Sequence, residues 1–321
     1  GGLMARFVAR RLAGTVAVLF AVSVLTFVIF NVIPNSDPAQ RMAGKRATPE
    51  LVASITKEWG FDDPLPQQYL TMMKKIFTGD VISYEGRENV DERIVEGIPA
   101  TFSLCIGAAA IWMFFGILFG YLSAVRAGGL LDKTLTVVAV AGISMPVFWL
   151  AAIFLNYLTY KIELFPSGGY VELTADPIEW ASHLILPWVT LAILYVGFYS
   201  RVLRSNMLDA MGEDYVRTAR AKGLSERRVM TRHVLRNSLI PIVTLFGLDF
   251  GALLGGAILI EAIFSLEGIG QYAYESLINT DLPPIMAIVL FGAFFVVLFN
   301  ALVDVAYAYL DPRIRLGTSA Q

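Results

Sequence analysis

Six long apolar stretches constrain the fold of this chain more than any other feature. Four of them lack Asp, Glu, Lys and Arg, and two carry a single acid each. The stretches are residues 12–36, 97–125, 134–160, 180–200, 237–260 and 282–310. A helix needs about 20 apolar residues to cross a bilayer, and hydrocarbon cannot satisfy the backbone polar groups of an open structure. The sequence therefore predicts an all-α, polytopic membrane protein with six transmembrane helices.

Composition excludes several classes of function. The chain is 56% hydrophobic and 16% charged, whereas soluble domains are about 25% charged. Its single Cys105 excludes an internal disulfide framework, and His183 and His233 lie too far apart for a recognisable metal motif. The sequence contains no HExxH, GxSxG or Walker A motif. Because the net charge is −2, we expect no nucleic-acid partner. Because these motifs are missing, we expect no cofactor or metal bound by this chain and no catalytic activity of its own.

The distribution of basic residues predicts the orientation, because Lys and Arg are enriched in cytoplasmic loops. Basic residues precede the first stretch, flank the turn between the second and third, fill the loop between the fourth and fifth, and follow the sixth. The other loops are acidic, and the one after the fifth stretch contains no base. Both termini are therefore predicted to be cytoplasmic.

The segment 34–96 is too long for a simple external connector. Thr48–Trp59 begins with a Thr that can cap a helix and a Pro at the first helical position. Gln67–Phe77 has apolar residues at helical spacing and precedes Gly79. We predict a small, mostly helical external subdomain, which covers the outer mouth or docks a partner.

Proline and acidic residues inside the apolar stretches mark candidate pathway positions. Proline predicts kinked helices at Ser144-Met145-Pro146 and at Pro187. Such kinks serve a moving permeation pathway, or they reflect irregular helix packing. Asp249 lies near the middle of the fifth stretch, where a carboxylate needs a partner, a proton or water. It either faces a water-filled substrate pathway, or it is protonated or bonded to an Asn or Tyr between helices. Glu261 is expected at the solvated outer end of that helix, as a structural residue or part of a gate, and Ser144 completes the candidate pathway set.

The longest charged run lies between the fourth and fifth stretches, with acids at the predicted helix starts and bases following them. That order suits the helix macrodipole. Because Gly takes the left-handed conformation after a helix at low cost, we predict a helix over Glu213–Lys222 ended by Gly223. Ser225 is expected to cap a second helix that begins at Glu226. The two helices would meet at a corner with Leu224 at its apex.

This loop resembles the "EAA" loop of ABC importer permeases, an EAA tripeptide followed three residues later by Gly. The equivalents here are Arg217-Thr218-Ala219, Arg220-Ala221-Lys222 and Gly223. Arg replaces the Glu, and Arg236 stands where Pro is expected, with Pro241 later. Both departures resemble the loop sequence of the dipeptide/oligopeptide/nickel branch of this family. Other stretches similar to that branch are Trp59–Tyr69, Gly97–Leu104, Ser144–Leu150, Leu164–Tyr170, Gly255–Pro283 and Asp311–Arg315.

The resemblance implies the type I ABC importer permease fold, a location in the cytoplasmic (inner) membrane and a set of partners. These are a paralogous second permease subunit, two ABC ATPase subunits or domains that bind ATP and Mg, an extracytoplasmic peptide-binding protein and the lipid bilayer. In that family the loop forms a coupling helix that sits in a groove of the ATPase. The residues assigned to this contact by the resemblance are Asp214, Tyr215, Arg217, Thr218, Ala219, Lys222, Gly223 and Leu224.

Three alternatives remain open at this point. Within the same branch, the cargo is a peptide or another small solute such as nickel or glutathione, although no Met or His cluster suits a soft metal. An ion-coupled secondary transporter would need its own ion site and usually inverted repeats. A membrane scaffold would show no ATPase activity that responds to substrate.

The sequence divides into four regions on this interpretation. Residues 1–33 hold the N-terminal tail and the first transmembrane helix, and residues 34–96 the external subdomain. Residues 97–310 form the transmembrane core, with the cytoplasmic coupling loop at 205–238. Residues 311–321 form a cytoplasmic tail.

Overall fold

Helices account for almost all of the regular structure. The computed structural model describes residues 2–33, 37–254 and 257–310, and within these ranges it contains no β-strand, only an isolated bridge between Ile82 and Asn89. The all-α prediction is confirmed for this part of the chain, while the predicted tail 311–321 lies outside it. The helices are α1 (Gly2–Phe27), α2 (Pro38–Ala43), α3 (Pro49–Trp59), α4 (Leu65–Thr78), α5 (Val90–Val125), α6 (Leu130–Ser144), α7 (Val147–Phe154), α8 (Pro177–Met211), α9 (Asp214–Ala221), α10 (Glu226–Arg228), α11 (Arg236–Leu254), α12 (Ile258–Phe264), α13 (Ile269–Asn279) and α14 (Leu282–Leu310).

Three of these helices continue into wider π-helical turns. The π-helical segments are Val28–Val32 after α1, Leu155–Lys161 after α7 and Val229–Leu235 between α10 and α11. Such segments accommodate one extra residue per turn without ending the helix.

Five helical segments are long and apolar enough to cross a membrane. They are Leu12–Val32, Val90–Val125, Pro177–Met211, Glu226–Leu254 and Leu282–Leu302. Helix α6 and the following segment Val147–Lys161 would provide a sixth span, if this bent pair crosses the membrane as one unit. The protein is therefore a multi-pass membrane protein with five or six spans among the described residues.

The third apolar stretch is broken rather than kinked. Helix α6 ends at Ser144, α7 begins at Val147, and the two axes differ by 98°. Met145 has an extended backbone (φ −81°, ψ 126°), because the residue before a proline is sterically disfavoured in the helical region. The single kinked helix expected at Pro146 is thus corrected to two helices, whereas Pro187 lies inside the continuous helix α8.

The fifth apolar stretch is also divided. Helix α11 ends at Leu254, and a separate short helix, α12, contains Glu261. The expectation that Glu261 ends the fifth membrane helix at a solvated interface is wrong, because its side chain is fully buried.

The chain forms two compact units, residues 1–102 with 251–321 and residues 103–250. In the first, α1 packs against α14, and α12 and α13 pack against each other. A core of Phe27, Trp59, Met72 and Met286 joins the predicted external segment to helices of the same unit. That segment is helical as predicted, and Thr48 caps α3 by accepting from the amide of Leu51 at 3.2 Å.

In the second unit, α8 packs against both α6 and α7. The indole N–H of Trp188 donates to the carbonyl of Ser103 at 2.9 Å. A methyl group at Gly107 would lie 2.0 Å from the Trp188 ring, so glycine is required for this close approach. Helix α9 packs against the π-helical segment Val229–Leu235, which fixes the charged loop on the body of the unit.

Candidate functional site

The predicted coupling loop forms a short helix with one buried and one exposed face. Helix α9 begins three residues after the end of α8 and buries Val216 and Ala219. Because residues three apart share a helix face, these two side chains attach α9 to the unit beneath it. The side chains on the other face are exposed. We call them the coupling surface: Asp214, Tyr215, Arg217, Thr218 and Lys222.

The corner after α9 has the predicted backbone geometry. Gly223 adopts φ +77°, and none of the described atoms lies within 4 Å of the position that a Cβ would occupy. Glycine is therefore favoured here by backbone conformation and not by crowding. Its amide donates to the carbonyl of Arg220 at 2.9 Å. The predicted end of the helix at Gly223 is confirmed, and Leu224 at the apex is half-buried.

An exposed ion pair spans this corner. The guanidinium of Arg220 donates to both carboxylate oxygens of Glu226, at 3.1 and 2.7 Å. A bidentate pair fixes orientation as well as distance, so it holds the start of α10 close to the end of α9. Ser225 occupies the N-cap position of α10 as predicted, but its side chain accepts no hydrogen bond from the amides of that helix.

One residue assigned to the ATPase contact lies on the packed face of the helix. Ala219 is 5% exposed and lies on the side of α9 that packs against the unit. The EAA-like spacing places it in the loop but does not say which face it occupies, since that depends on the Val229–Leu235 segment. Ala219 is therefore corrected to a packing residue, and the coupling surface consists of its exposed neighbours.

The candidate pathway residues have different surroundings. Asp249 is half-buried and accepts a hydrogen bond from the Tyr199 hydroxyl at 2.6 Å. This is the interhelical tyrosine bond that the sequence left open as the alternative to a pathway role. Ser144 is exposed at the end of α6, and its hydroxyl donates to the carbonyl of Val140 at 2.7 Å. Asp249 and Ser144 belong to the second unit, and Glu261 belongs to the first.

Glu261 acts as a remote cap for α13. Its carboxylate accepts from the backbone amides of Gly270 and Gln271, at 2.7 and 3.1 Å, and from the Thr101 hydroxyl at 2.8 Å. The residue at the N-cap position, Gly268, has no side chain to accept these amides. Burial is the main cause that raises the pKa of Glu261 to about 7, and these three hydrogen bonds oppose it. The carboxylate thus performs a structural role at the start of a helix.

The sequence did not identify an ion pair at the base of the loop. Arg204 on α8 donates to both oxygens of Asp132 on α6, at 2.6 and 2.7 Å. The Asp132 side chain is 4% exposed and that of Arg204 is 31% exposed, so the carboxylate is buried and the guanidinium is half-buried. The only signal available in the sequence was an acid and a base at the ends of two apolar stretches, and nothing in it indicates that the two residues meet.

Comparison with known proteins identifies the family. Residues 116–316 match the model described as "Binding-protein-dependent transport system inner membrane component", and residues 4–105 match the model of the N-terminal part of such components. The first match alone covers more than half of the chain. The chain belongs to this family.

Several relatives match the chain over nearly their whole length. A putative peptide transport system permease protein of Brucella melitensis is 37% identical over 314 residues, covering 98% of this chain and 99% of the relative. The di/tripeptide transport system permease protein DppB of Pseudomonas aeruginosa is 37% identical, and the dipeptide transport system permease protein DppB of Escherichia coli is 36% identical. Each of these two comparisons covers 97% of this chain and 99% of the relative.

A solved structure supports the fold assignment. The chain is similar to one from the inward-facing MetNI methionine ABC transporter, with a TM-score of 0.53, 17% identity and coverage of 68% of this chain and 96% of that chain. At this identity the likeness concerns the fold alone. It indicates that the described helices share a fold with a chain of that transporter.

Proposed function

We propose that this chain is the permease subunit of an ATP-driven importer of di- or oligopeptides. The main support for this proposal is the coupling surface. It is a row of exposed polar residues on a short helix that directly follows a long apolar helix. A helix in this position can receive force from a partner outside the membrane. Peptide as the cargo is supported by relatives named as peptide and dipeptide permeases.

The proposed topology has six spans, with the bent pair α6 and α7 counted in one of them. The basic loops then lie in the cytoplasm together with both termini, and the segment before α5 lies on the opposite side of the inner membrane. The coupling surface is thereby placed where ATP is available.

The proposed partners are a paralogous second permease, two ABC ATPase subunits or domains, and an extracytoplasmic peptide-binding protein. The ATPases bind ATP and Mg and hydrolyse the nucleotide, while this chain contributes a wall of the pathway and no covalent chemistry. Closure of the ATPases displaces α9, and the pair of permeases changes from inward-open to outward-open. The bond from Tyr199 favours the interhelical role of Asp249, so this residue is not part of the proposed pathway.

The cargo is tested on the complete assembly in proteoliposomes. We expect ATP hydrolysis to rise when the binding protein is loaded with di- or oligopeptides. A response restricted to nickel or glutathione would contradict the peptide assignment. Uptake that persists when the partner ATPases are catalytically inactive would instead indicate an ion-coupled secondary transporter.

The coupling role is tested at Gly223. A Gly223→Pro variant cannot adopt the positive φ of this position, and we expect it to be inserted in the membrane but to lose import. Gly223→Asn is the matched control, because Asn tolerates the left-handed conformation. Normal import by the proline variant would contradict the assignment, and a charged side chain at Leu224 gives an independent test of the same corner.

Contact with the ATPase is tested by cross-linking. Cys105 is the only cysteine of the chain and is buried, so a Cys105→Ala background leaves no native thiol. In that background Tyr215→Cys is expected to cross-link to an ATPase subunit. Glu172→Cys, which is exposed in the acidic loop before α8, serves as the control and is expected to give no such product.

A further inference from the structure

The Arg204–Asp132 ion pair gathers groups from three helices and one turn of the second unit. Asp132, near the start of α6, accepts both bonds of the Arg204 guanidinium on α8. Its carboxylate also accepts from the hydroxyl of Ser123 on α5 and from the amide of Gly128 in the α5–α6 turn, the latter at 2.8 Å. One side chain therefore joins the ends of α5, α6 and α8.

This ion pair lies close to the start of α9. Arg204 precedes the end of α8 at Met211 by two turns, or about 10 Å along the helix axis. Helix α9 begins at Asp214. The end of α8 that leads into α9 is thus attached to the α5–α6 turn. This attachment lies close to α9, where a partner would apply force.

The physical character of the pair suits a mechanical role. An ion pair with a buried member adds little net stability compared with apolar groups of the same volume, whereas separating the partners is costly because one charge remains buried and unpaired. The bidentate geometry also fixes direction. The end of α8 therefore cannot move away from the start of α6 without breaking two charge-assisted bonds.

We propose that Arg204 and Asp132 are positioning residues that make the end of α8 move together with α5 and α6 when α9 is displaced. Without this connection, displacement of α9 would bend the end of α8 and leave the other membrane helices in place. ATP hydrolysis would then proceed with less import. This inference rests on the proposed function, in which the ATPases act on the coupling surface.

The test separates coupling from folding with a double variant. Arg204→Met with Asp132→Asn leaves no unpaired charge and keeps an acceptor for Ser123 and Gly128. We expect the assembled complex to melt as the wild type does and to retain the Tyr215→Cys cross-link to the ATPase. The ATP hydrolysed per peptide imported in proteoliposomes should rise several-fold.

The conservative variant Arg204→Lys keeps the charge but loses the planar fork, and we expect an ATP-to-peptide ratio between those of the wild type and the double variant. A wild-type ratio in the double variant would overturn the inference. If the double variant fails to assemble, a wild-type ratio in Arg204→Lys overturns it equally. Absence of the cross-link in the otherwise wild-type chain would refute the proposed function itself, and the inference with it.

Discussion

The buried carboxylate of Glu261 gives a prediction whose size follows from the structure. The side chain is fully buried and caps the first amides of α13. Burial raises its pKa from the ordinary value of 4.5 to about 7. A raised carboxyl pKa means that the folded protein holds a proton that the unfolded chain has released. The stability contributed by this group is therefore complete below about pH 4.5 and is lost as the pH rises through about 7.

The expected magnitude follows from the ratio of protonated to charged folded protein. Between pH 8 and pH 6 the folded carboxyl takes up most of a proton, while an unfolded carboxyl takes up almost none. The free energy of unfolding should therefore rise by about 1.4 kcal/mol, the equivalent of one pKa unit. For a chain of this size that corresponds to an increase of about 2 °C in melting temperature.

The assay is thermal unfolding of the purified protein at pH 6, 7 and 8, followed by tryptophan fluorescence. Trp59 and Trp112 are both fully buried, so unfolding exposes them. Glu261→Gln keeps an oxygen acceptor for the amides of α13 but cannot titrate, and we expect it to remove this part of the pH dependence. Glu275→Gln, an exposed change on α13 itself, is the control. If Glu261→Gln retains the wild-type slope, another group is responsible and the reasoning is refuted.

Three further predictions concern the coupling corner, a packed glycine and a helix cap. Arg220→Glu should lower import and Arg220→Glu with Glu226→Arg should restore part of it in a transport assay; equal import by the single variant and the wild type would contradict a role for this pair. Gly107→Ala brings a methyl group against the Trp188 ring, and overpacking of this kind costs about 1–3 kcal/mol, visible as a lower melting temperature. Thr48→Ala removes the cap of α3 and should lower local stability by about 1 kcal/mol, measured as faster amide exchange in α3; unchanged exchange would contradict it.

Local signals predicted the helices with good accuracy. Thr48 and Gly79 mark the start of α3 and the end of α4 as expected from capping preferences. Gly223 lies at the corner after α9, as predicted, because the positive φ of this position favours glycine. These predictions succeeded because each depends on a few neighbouring residues. The count of six spans and the orientation of the termini remain predictions.

The missed features depend on packing between distant segments. Pro146 was recognised as a helix-disturbing residue, but a proline in the sequence does not give the angle of the break, which is 98°. Ala219 was assigned to a partner contact because the sequence does not reveal which face of α9 packs inward. Glu261 was expected at a solvated interface because the spacing of apolar residues does not distinguish one long helix from two helices with a break between them.

The sequence by itself determined which segments are apolar helices, where they start and end, and which loop carries the basic charge. Hydropathy, capping and charge are properties of neighbouring residues, so they can be followed along the chain. The tertiary structure alone decided which buried polar groups meet. Arg204 and Asp132 are 72 residues apart, and Thr101 and Glu261 are 160 apart. Buried polar groups must find partners, but the fold determines which partners lie within reach.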